Sequence, residues 1–333
     1  MNKKLLYLLL SILLCYPITT YAKEELYLGG NSVGIVVNYD GVLVSGTYSI
    51  ESNGTSYSPS DQDILKGDMI VKVGDYDVTS LETMNLQLNK YRKDVNEIAI
   101  RIKRGNQTID KQLISVYDKS NNTVQCGLYV KDKIVGIGTM TYYNPEDQNF
   151  GALGHEIQDG DLNAKANIHS GDILDSSVNH IIKAQADFAG EKHALINYNE
   201  LIGHVLVNDE LGIYGNYLKT PSQLNSMPWS KKEKVHLGKA KLYTVLSNQE
   251  IQAYDIMITK LHQQDEPSIK GIEYEVTDPK LIEKTGGIIQ GMSGSPIVQD
   301  DCIIGAITHV ITSNPKKGYG VYIEWMLKNK QPT

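Results

Sequence analysis

The segment GGIIQGMSGSPI, residues 286–297, decides how the rest of this chain is interpreted. Closely spaced glycine and serine are typical of turns and linkers, because glycine adopts backbone conformations that other residues avoid. A linker does not account for this segment, since Pro296 follows Ser295 directly and the apolar run CIIGAITHVI begins at Cys302. The pattern predicts a tight loop between two strands of a β-rich domain.

The loop has the composition that a catalytic serine requires. A serine nucleophile needs a general base and hydrogen-bond donors for the oxyanion, and backbone N–H groups in a glycine-flanked turn can serve as those donors. With Ser293 as nucleophile, the N–H groups of Gly291 and Ser293 would form the oxyanion hole, and Gly294 would allow close approach of the substrate. His309, on the strand that follows, would line the substrate pocket.

The same loop resembles the G-x-S-G-x-P signature of chymotrypsin-like serine peptidases, whose histidine lies upstream in the first of two β-barrels. A second glycine-bounded loop, FGALGHEIQDGD, contains His155 at a distance that leaves room for one barrel before Ser293. His155 is therefore predicted to be the general base.

Composition limits the other functions of the chain. The 333 residues are 41% hydrophobic and 21% charged, which suits two folded domains. A net charge of −7 argues against a nucleic-acid partner. The stretch GHEIQ lacks the second histidine of HExxH because Asp159 stands at that position, and no CxxC is present, so no metal or other cofactor is predicted.

Residues 1–22 have two lysines followed by an apolar run at residues 5–18, the pattern of a secretory signal or of an uncleaved membrane anchor. Export is predicted in either case. Outside the cytoplasm Cys126 and Cys302 could pair, but two separate buried thiols explain them equally well.

Residues 26–117 form a strand-rich pattern with one helix, and the stretch ILKGDMIVKVGDYDVTSLETMNLQL resembles a PDZ domain. The resemblance implies that a peptide is bound as an added strand beside Val42–Val44 and next to the helix from Leu81 to Tyr91. A small α/β domain with a filled groove is the alternative, and the insertion TYSIESNGTSYSPSDQ could cover the groove.

Residues 124–330 contain many short apolar runs separated by Gly, Asn and Asp, which predicts an all-β sandwich or a pair of barrels. The predicted fold is mainly β: a small α/β PDZ-like domain followed by a chymotrypsin-like double β-barrel.

Three motifs together, FGALGHEIQD, TGGIIQGMSGSPIVQ and GAITHVITSNPKKGYGVYIEWML, resemble the SpoIVB-type sporulation serine peptidases. The resemblance implies that Ser293 is the nucleophile, His155 the base and Asp278, in EVTDPKLIEKTGG, the acid that orients the histidine. Without the resemblance, Asp187 or Asp209 would be the candidates for the acid, and Asp159 would be assigned to a turn.

The same resemblance implies a self-processing endopeptidase exported into the space between mother cell and forespore. Its partners would be its own chain, a peptide bound by the PDZ-like domain and a membrane-bound regulatory complex, whose cleavage triggers intramembrane processing of a sigma factor. Two alternatives remain: a catalytically latent or inactive peptide-binding adaptor, and a general extracytoplasmic quality-control protease.

Overall fold

The computed structural model describes residues 24–219 and 225–328. Strands make up 57% of the structure and helices 9%, so the prediction of a mainly β fold is confirmed. The predicted export segment, residues 1–22, lies outside the described residues. Among the helices that are described, none is both long and apolar enough to cross a membrane.

The chain forms 23 strands and three α-helices within the described residues. The elements of the first part are β1 (Glu25–Leu28), β2 (Ser32–Thr47), β3 (Ile50–Ser52), β4 (Thr55–Tyr57), β5 (Met69–Val73), β6 (Tyr76–Asp77), α1 (Leu81–Leu88), β7 (Val95–Arg104), β8 (Gln107–Asp118), β9 (Thr123–Gln125) and β10 (Leu128–Asn144). The elements of the middle part are β11 (Asn149–Ala152), β12 (Gln158–Asp159), β13 (Ala164–Lys165), β14 (Ser170–Ile182), β15 (Glu191–Asp209), β16 (Gly212–Tyr217) and β17 (Ser226–Pro228). The elements of the last part are β18 (Gly238–Val245), β19 (Ile251–Leu261), β20 (Ile272–Val276), α2 (Pro279–Thr285), β21 (Pro296–Gln299), β22 (Cys302–Val310), β23 (Lys317–Tyr322) and α3 (Ile323–Lys328).

Two closed barrels of six antiparallel strands form the larger part of the molecule. The first runs β2–β10–β11–β16–β15–β14 and closes where β14 pairs with β2. The second runs β18–β19–β20–β23–β22–β21 and closes where β21 pairs with β18. Branched aliphatic residues such as Ile35, Ile173, Ile256 and Ile303 fill the interiors, and each contributes about 1.5–3 kcal/mol on burial. The double β-barrel predicted from the sequence is confirmed.

A smaller α/β unit lies beside the first barrel and consists of the second half of β2, β5 to β9, the β3–β4 hairpin and α1. Alternate residues of β7, among them Ile98, Ile100 and Ile102, point into its core, as the two-residue period of a strand requires. Helix α1 begins after Ser80, whose hydroxyl accepts a hydrogen bond from the N–H of Thr83, and it ends at Leu88 rather than at Tyr91.

Strands β2 and β10 run through both units. Residues 128–131 of β10 pair with residues 43–47 of β2 in the α/β unit, and residues 133–139 pair with residues 32–38 in the first barrel. The α/β unit and the first barrel therefore share two strands. Of these, β2 belongs to the segment predicted as the first domain, 26–117, and β10 to the segment predicted as the second, 124–330.

The peptide groove predicted along Val42–Val44 is wrong. In β2, Leu43 pairs with Met69 of β5 on one side and with Lys131 of β10 on the other, while Val44 pairs with Val130. On the other edge, the N–H of Val44 donates to the carbonyl of Asp68, and the carbonyl of Val44 accepts from the N–H of Gly67. Both edges are occupied by the chain itself, which leaves no room for an added strand.

Candidate active site

His155 and Ser293 lie between the two barrels. His155 follows β11 of the first barrel, and Ser293 precedes β21 of the second. Both residues are half-buried and line one cleft of about 630 Å³. The structure thus brings together the two residues predicted as base and nucleophile.

Hydrogen bonds from β10 hold the serine loop against the first barrel. The N–H of Thr139 donates to the carbonyl of Ser293 over 3.1 Å, and Thr141 Oγ1 donates to the carbonyl of Gly294 over 2.7 Å. Gly294 has φ +90, and a Cβ on it would lie 2.2 Å from the carbonyl oxygen of Thr139. Because Gly294 has no side chain, the backbone of the first barrel can pack directly against the serine loop. This corrects the expectation that Gly294 makes room for substrate.

Within residues 290–295 of the serine loop, two N–H groups lack an acceptor among the described residues. The N–H groups that donate to backbone carbonyls are those of Gln290, Met292, Gly294 and Ser295. Those of Gly291 and Ser293 donate to no acceptor in residues 24–219 and 225–328. Two N–H donors without a protein acceptor, beside one serine hydroxyl, form a candidate binding site for a carbonyl oxygen.

The hydroxyl of Ser293 donates to the carbonyl of Thr308 over 3.3 Å. Nδ1 of His155 is 2.8 Å from the carbonyl of Glu156, and because a carbonyl only accepts, Nδ1 carries the proton and Nε2 is unprotonated in the neutral ring. Burial lowers the pKa of His155 below its ordinary value of 6.5, although the Glu156 carbonyl and carboxylate act in the opposite direction. At pH 7 the ring is therefore in the neutral form that a general base requires.

His309 stands next to His155, with ring centroids 5.5 Å apart. It lines the main cleft and also a smaller cavity of about 190 Å³ on the other side of Ser293, enclosed largely by Ile288, Ile289 and Ile307. Burial, reinforced by the charges of His155 and Lys270, lowers the pKa of His309 to about 4. His309 is placed where a substrate-pocket residue would lie, and its role in substrate binding stays a prediction.

Asp278 is the N-cap of α2. Its Oδ1 accepts hydrogen bonds from the N–H groups of Lys280 and Leu281, and its Oδ2 accepts one from the N–H of Asp255. An aspartate followed by proline at the first helical position is a typical helix start, and the TDPKL pattern contains this signal. The structure does not bring Asp278 to the cleft, and the predicted role as acid stays a prediction.

The three other aspartates considered from the sequence lie in a turn, a hairpin and an ion pair. Asp187 occupies a turn with φ +62, and Asp209 accepts from the N–H of Leu211 in the β15–β16 hairpin. Asp159 is buried in an ion pair of 2.8 Å with Lys131. Within the described part of the chain, neither Asp159 nor Asp187 forms a hydrogen bond with His155, whose Nδ1 faces the Glu156 carbonyl.

No metal centre or disulfide is formed by the residues described. Among residues 24–219 and 225–328 no group of three or more His, Cys, Asp and Glu side chains could hold a metal ion. Cys126 lies before β10 of the α/β unit and Cys302 in β22 of the second barrel, and they do not form a disulfide.

The sequence does not predict the lysine that lies behind the serine loop. Lys192, in β15, is only 2% exposed, and its Nζ donates to Thr139 Oγ1 over 3.3 Å. The local sequence places Lys192 between Glu191 and His193, a polar context that gives no signal of burial. Long-range contacts with Thr139 of β10, Val245 of β18 and Gly291 of the serine loop account for the burial.

Comparison with known proteins assigns most of the barrel region to one family. The family model described as SpoIVB peptidase S55 matches residues 122–327, which include the serine loop and the histidine loop. Among solved structures, the chain is similar to an inactive-form mutant of Rv3671c from M. tuberculosis H37Rv, at 10% identity and a TM-score of 0.28, over 58% of this chain and 78% of that chain. The search of curated proteins gave no match.

Proposed function

The chain belongs to the SpoIVB peptidase S55 family and is a serine peptidase, and on that premise we propose that Ser293 is its nucleophile and His155 its general base. The observation that carries the proposal is the pair of N–H groups of Gly291 and Ser293, which have no acceptor among the described residues and belong to residues that line the same cleft as His155. A peptide carbonyl placed there would receive both donors as it becomes an oxyanion.

The proposed reaction follows from these positions. Ser293 Oγ attacks the carbonyl carbon of the peptide while Nε2 of His155 takes the hydroxyl proton, and the same nitrogen later gives that proton to the leaving amine. Water then hydrolyses the acyl-enzyme by the reverse sequence of proton transfers. Before the attack, the hydroxyl of Ser293 exchanges its bond to the Thr308 carbonyl for one to His155.

Asp278 is carried forward from the family resemblance as the predicted acid. To take this role, the Asp278 carboxylate would have to release the N–H groups at the start of α2 and accept a hydrogen bond from Nδ1 of His155 instead. In the structure, that Nδ1 donates to the Glu156 carbonyl. The assignment of base and nucleophile does not depend on it.

The substrates are proposed to be extended peptide segments with aliphatic side chains. The wall of the main cleft includes Ile134, Ile137, Leu153 and Ile157, which offer apolar contacts. Glu156 also lines the cleft and would favour a basic or neutral residue close to the bond that is cut.

The wider role rests on the family. We propose a self-processing signalling endopeptidase, exported between mother cell and forespore, that cleaves a membrane-bound regulatory complex and so triggers sigma-factor processing. The α/β unit is proposed to be PDZ-like and to bind a peptide along residues 128–131 of β10 beside α1. This edge is favoured because no described strand pairs with it opposite β2, and because Asp132 accepts from the N–H of Leu81 at the start of α1.

The test compares the exported chain with Ser293→Ala and Ser295→Ala. Wild type should react with a fluorophosphonate probe and generate new N-termini in intact mass spectra over hours, whereas Ser293→Ala should do neither. The hydroxyl of Ser295 is buried without a partner among the described residues, so Ser295→Ala is a matched control that should behave as wild type. A wild type that neither reacts nor changes mass would favour the inactive adaptor, and cleavage of many unfolded proteins would favour quality control.

A further inference from the structure

Lys192 is a buried lysine without a role in the proposed reaction. On β15 its neighbours Glu191 and His193 are exposed and pair with each other over 3.4 Å, whereas the Lys192 side chain points into the molecule. Burying an ammonium group is costly unless the surroundings use its charge or its hydrogen bonds. The position of Lys192 therefore requires an explanation.

The contacts of Lys192 lead to the serine loop. Its backbone N–H donates to the carbonyl of Gln290 over 2.9 Å, and its Nζ donates to Thr139 Oγ1. Thr139 Oγ1 in turn donates to the carbonyl of Gly291 over 2.8 Å, and the N–H of Thr139 donates to the carbonyl of Ser293. A hydroxyl donates once and accepts from a second group, so the chain from Nζ to the Gly291 carbonyl is geometrically complete.

The lysine side chain also supports Gly291 from behind. A Cβ built on Gly291 would lie 3.1 Å from both Cβ and Cε of Lys192, which places the aliphatic stem directly against the glycine. The two N–H groups without acceptors belong to Gly291 and Ser293, whose carbonyls are the ones that Thr139 holds. Thr139 and Lys192 thus contact the turn whose N–H groups form the proposed oxyanion hole.

We infer that Lys192 is a positioning residue of the peptidase, which holds the Gly291–Ser293 turn through Thr139 and, in its ammonium form, places a positive charge behind that turn. The inference rests on the proposed function of Ser293. Negative charge develops on the carbonyl oxygen when Ser293 attacks. Preorganised N–H dipoles and a nearby positive charge in a site with little water stabilise that charge most strongly.

Among residues 24–219 and 225–328, no carboxylate forms an ion pair with Lys192. The groups that face its Nζ are the Thr139 hydroxyl from β10 and, at 3.5 Å, the Val245 carbonyl from β18, and Gly291 faces its stem from the serine loop. Burial is the one cause that lowers the pKa of Lys192, to about 7. The ammonium form is present below that pH and is lost above it.

A bell-shaped pH dependence follows for the reactivity of Ser293. The neutral form of His155 is present above the lowered pKa of that ring, so reactivity falls on the acid side. Loss of the Lys192 proton reduces reactivity on the alkaline side, near pH 7. In this proposal, the decrease in reactivity on the alkaline side comes from Lys192 alone. A lysine with only a structural role would not produce that decrease.

The experiment measures the second-order rate of fluorophosphonate labelling of the exported chain between pH 5 and 9. Lys192→Met should lower the maximal rate by about tenfold or more, approaching the roughly 100-fold cost of losing one oxyanion donor, and should remove the alkaline limb. Thr139→Val should resemble Lys192→Met, and the double variant should be little worse than either. Thr139→Ser keeps the hydroxyl and should restore most of the rate.

Controls separate folding from positioning. Lys241→Met removes an exposed lysine that pairs with Asp255 in the second barrel, and it should label as wild type does. Circular dichroism and thermal unfolding establish that each variant is folded.

A folded Lys192→Met that keeps the wild-type rate and alkaline limb would overturn the inference while Ser293 remains the nucleophile. A wild type that is not labelled at all would overturn the proposed function and the inference with it.

Discussion

The imidazole rings of His155 and His309 lie 5.5 Å apart at an interplanar angle of 48°, and burial lowers the pKa of both. Two neutral rings can share the cleft without repulsion, while two charged rings could not. Burial therefore favours the form of His155 that accepts the proton of Ser293, and the neutral ring of His309 beside it adds no charge.

The acid limb of Ser293 labelling should have its midpoint below pH 6.5, the ordinary pKa of histidine, because burial disfavours the imidazolium form of His155. Rates of fluorophosphonate labelling measured downward from pH 7 test this. His309→Leu should leave the midpoint nearly unchanged, since a side chain that is already neutral contributes little charge at that pH. A wild-type midpoint at or above 6.5 would contradict the burial argument.

Asp278→Asn separates the two roles of this aspartate. Asparagine is as good an N-cap as aspartate, so the midpoint of thermal unfolding should hardly move, whereas Asp278→Ala should lose about 1 kcal/mol of stability. If Asp278 is the acid predicted from the family, Asp278→Asn should slow labelling and self-cleavage by several orders of magnitude. A stable Asn variant with near-normal rates would restrict Asp278 to capping α2 and return attention to Asp187 and Asp209.

Gly294→Ala should destabilise the protein by about 2 kcal/mol or more and abolish Ser293 labelling. The new Cβ would lie 2.2 Å from the Thr139 carbonyl oxygen, in a backbone conformation that disfavours any side chain, so the serine loop would have to leave the first barrel. Gly160→Ala is the matched control, because nothing lies within 4 Å of a Cβ at that position. Urea unfolding of both variants measures the difference, and equal stabilities would contradict the close approach of the barrels.

Lys192→Met should raise stability at pH 6 more than at pH 10. The folded-state pKa of Lys192 lies near 7, below its ordinary value of 10.5, so between these values the unfolded chain binds the extra proton and wild-type stability rises with pH. Below about pH 7 the wild type bears the full cost of a buried ammonium group, which Met does not have. Chemical unfolding at both pH values checks the sign, and a Met variant that is less stable at pH 6 would contradict it.

Much of the fold follows from local pattern. Short apolar runs with turn residues between them predict two β-barrels, and the glycines around Ser293 and His155 predict loops rather than strands at the two positions that share the cleft. Residues 278–281 also carry a local helix-start signal, which accounts for the position of the Asp278 carboxylate at the start of α2.

The remaining features depend on contacts between distant parts of the chain. Lys192 is buried because Thr139 and Gly291 come to it from two other elements, and nothing in its own strand distinguishes it from an exposed lysine. The occupied edge at Val44 likewise results from pairing with Val130, across a long sequence separation. Register between strands far apart in sequence is set by the whole barrel and cannot be inferred from one strand.

The continuity of β10 means that the molecule cannot be divided into two separate domains between residues 117 and 124. A fragment that ends at residue 117 would lack Leu128–Lys131, the partner of Leu43–Thr47, and a fragment that begins at residue 124 would lack β2 and leave β10 and β14 with bare edges. Bare strand edges are templates for aggregation. Recombinant fragments designed on domain boundaries would each precipitate or misfold, and any exchange of the α/β unit between relatives would have to carry both shared strands with it.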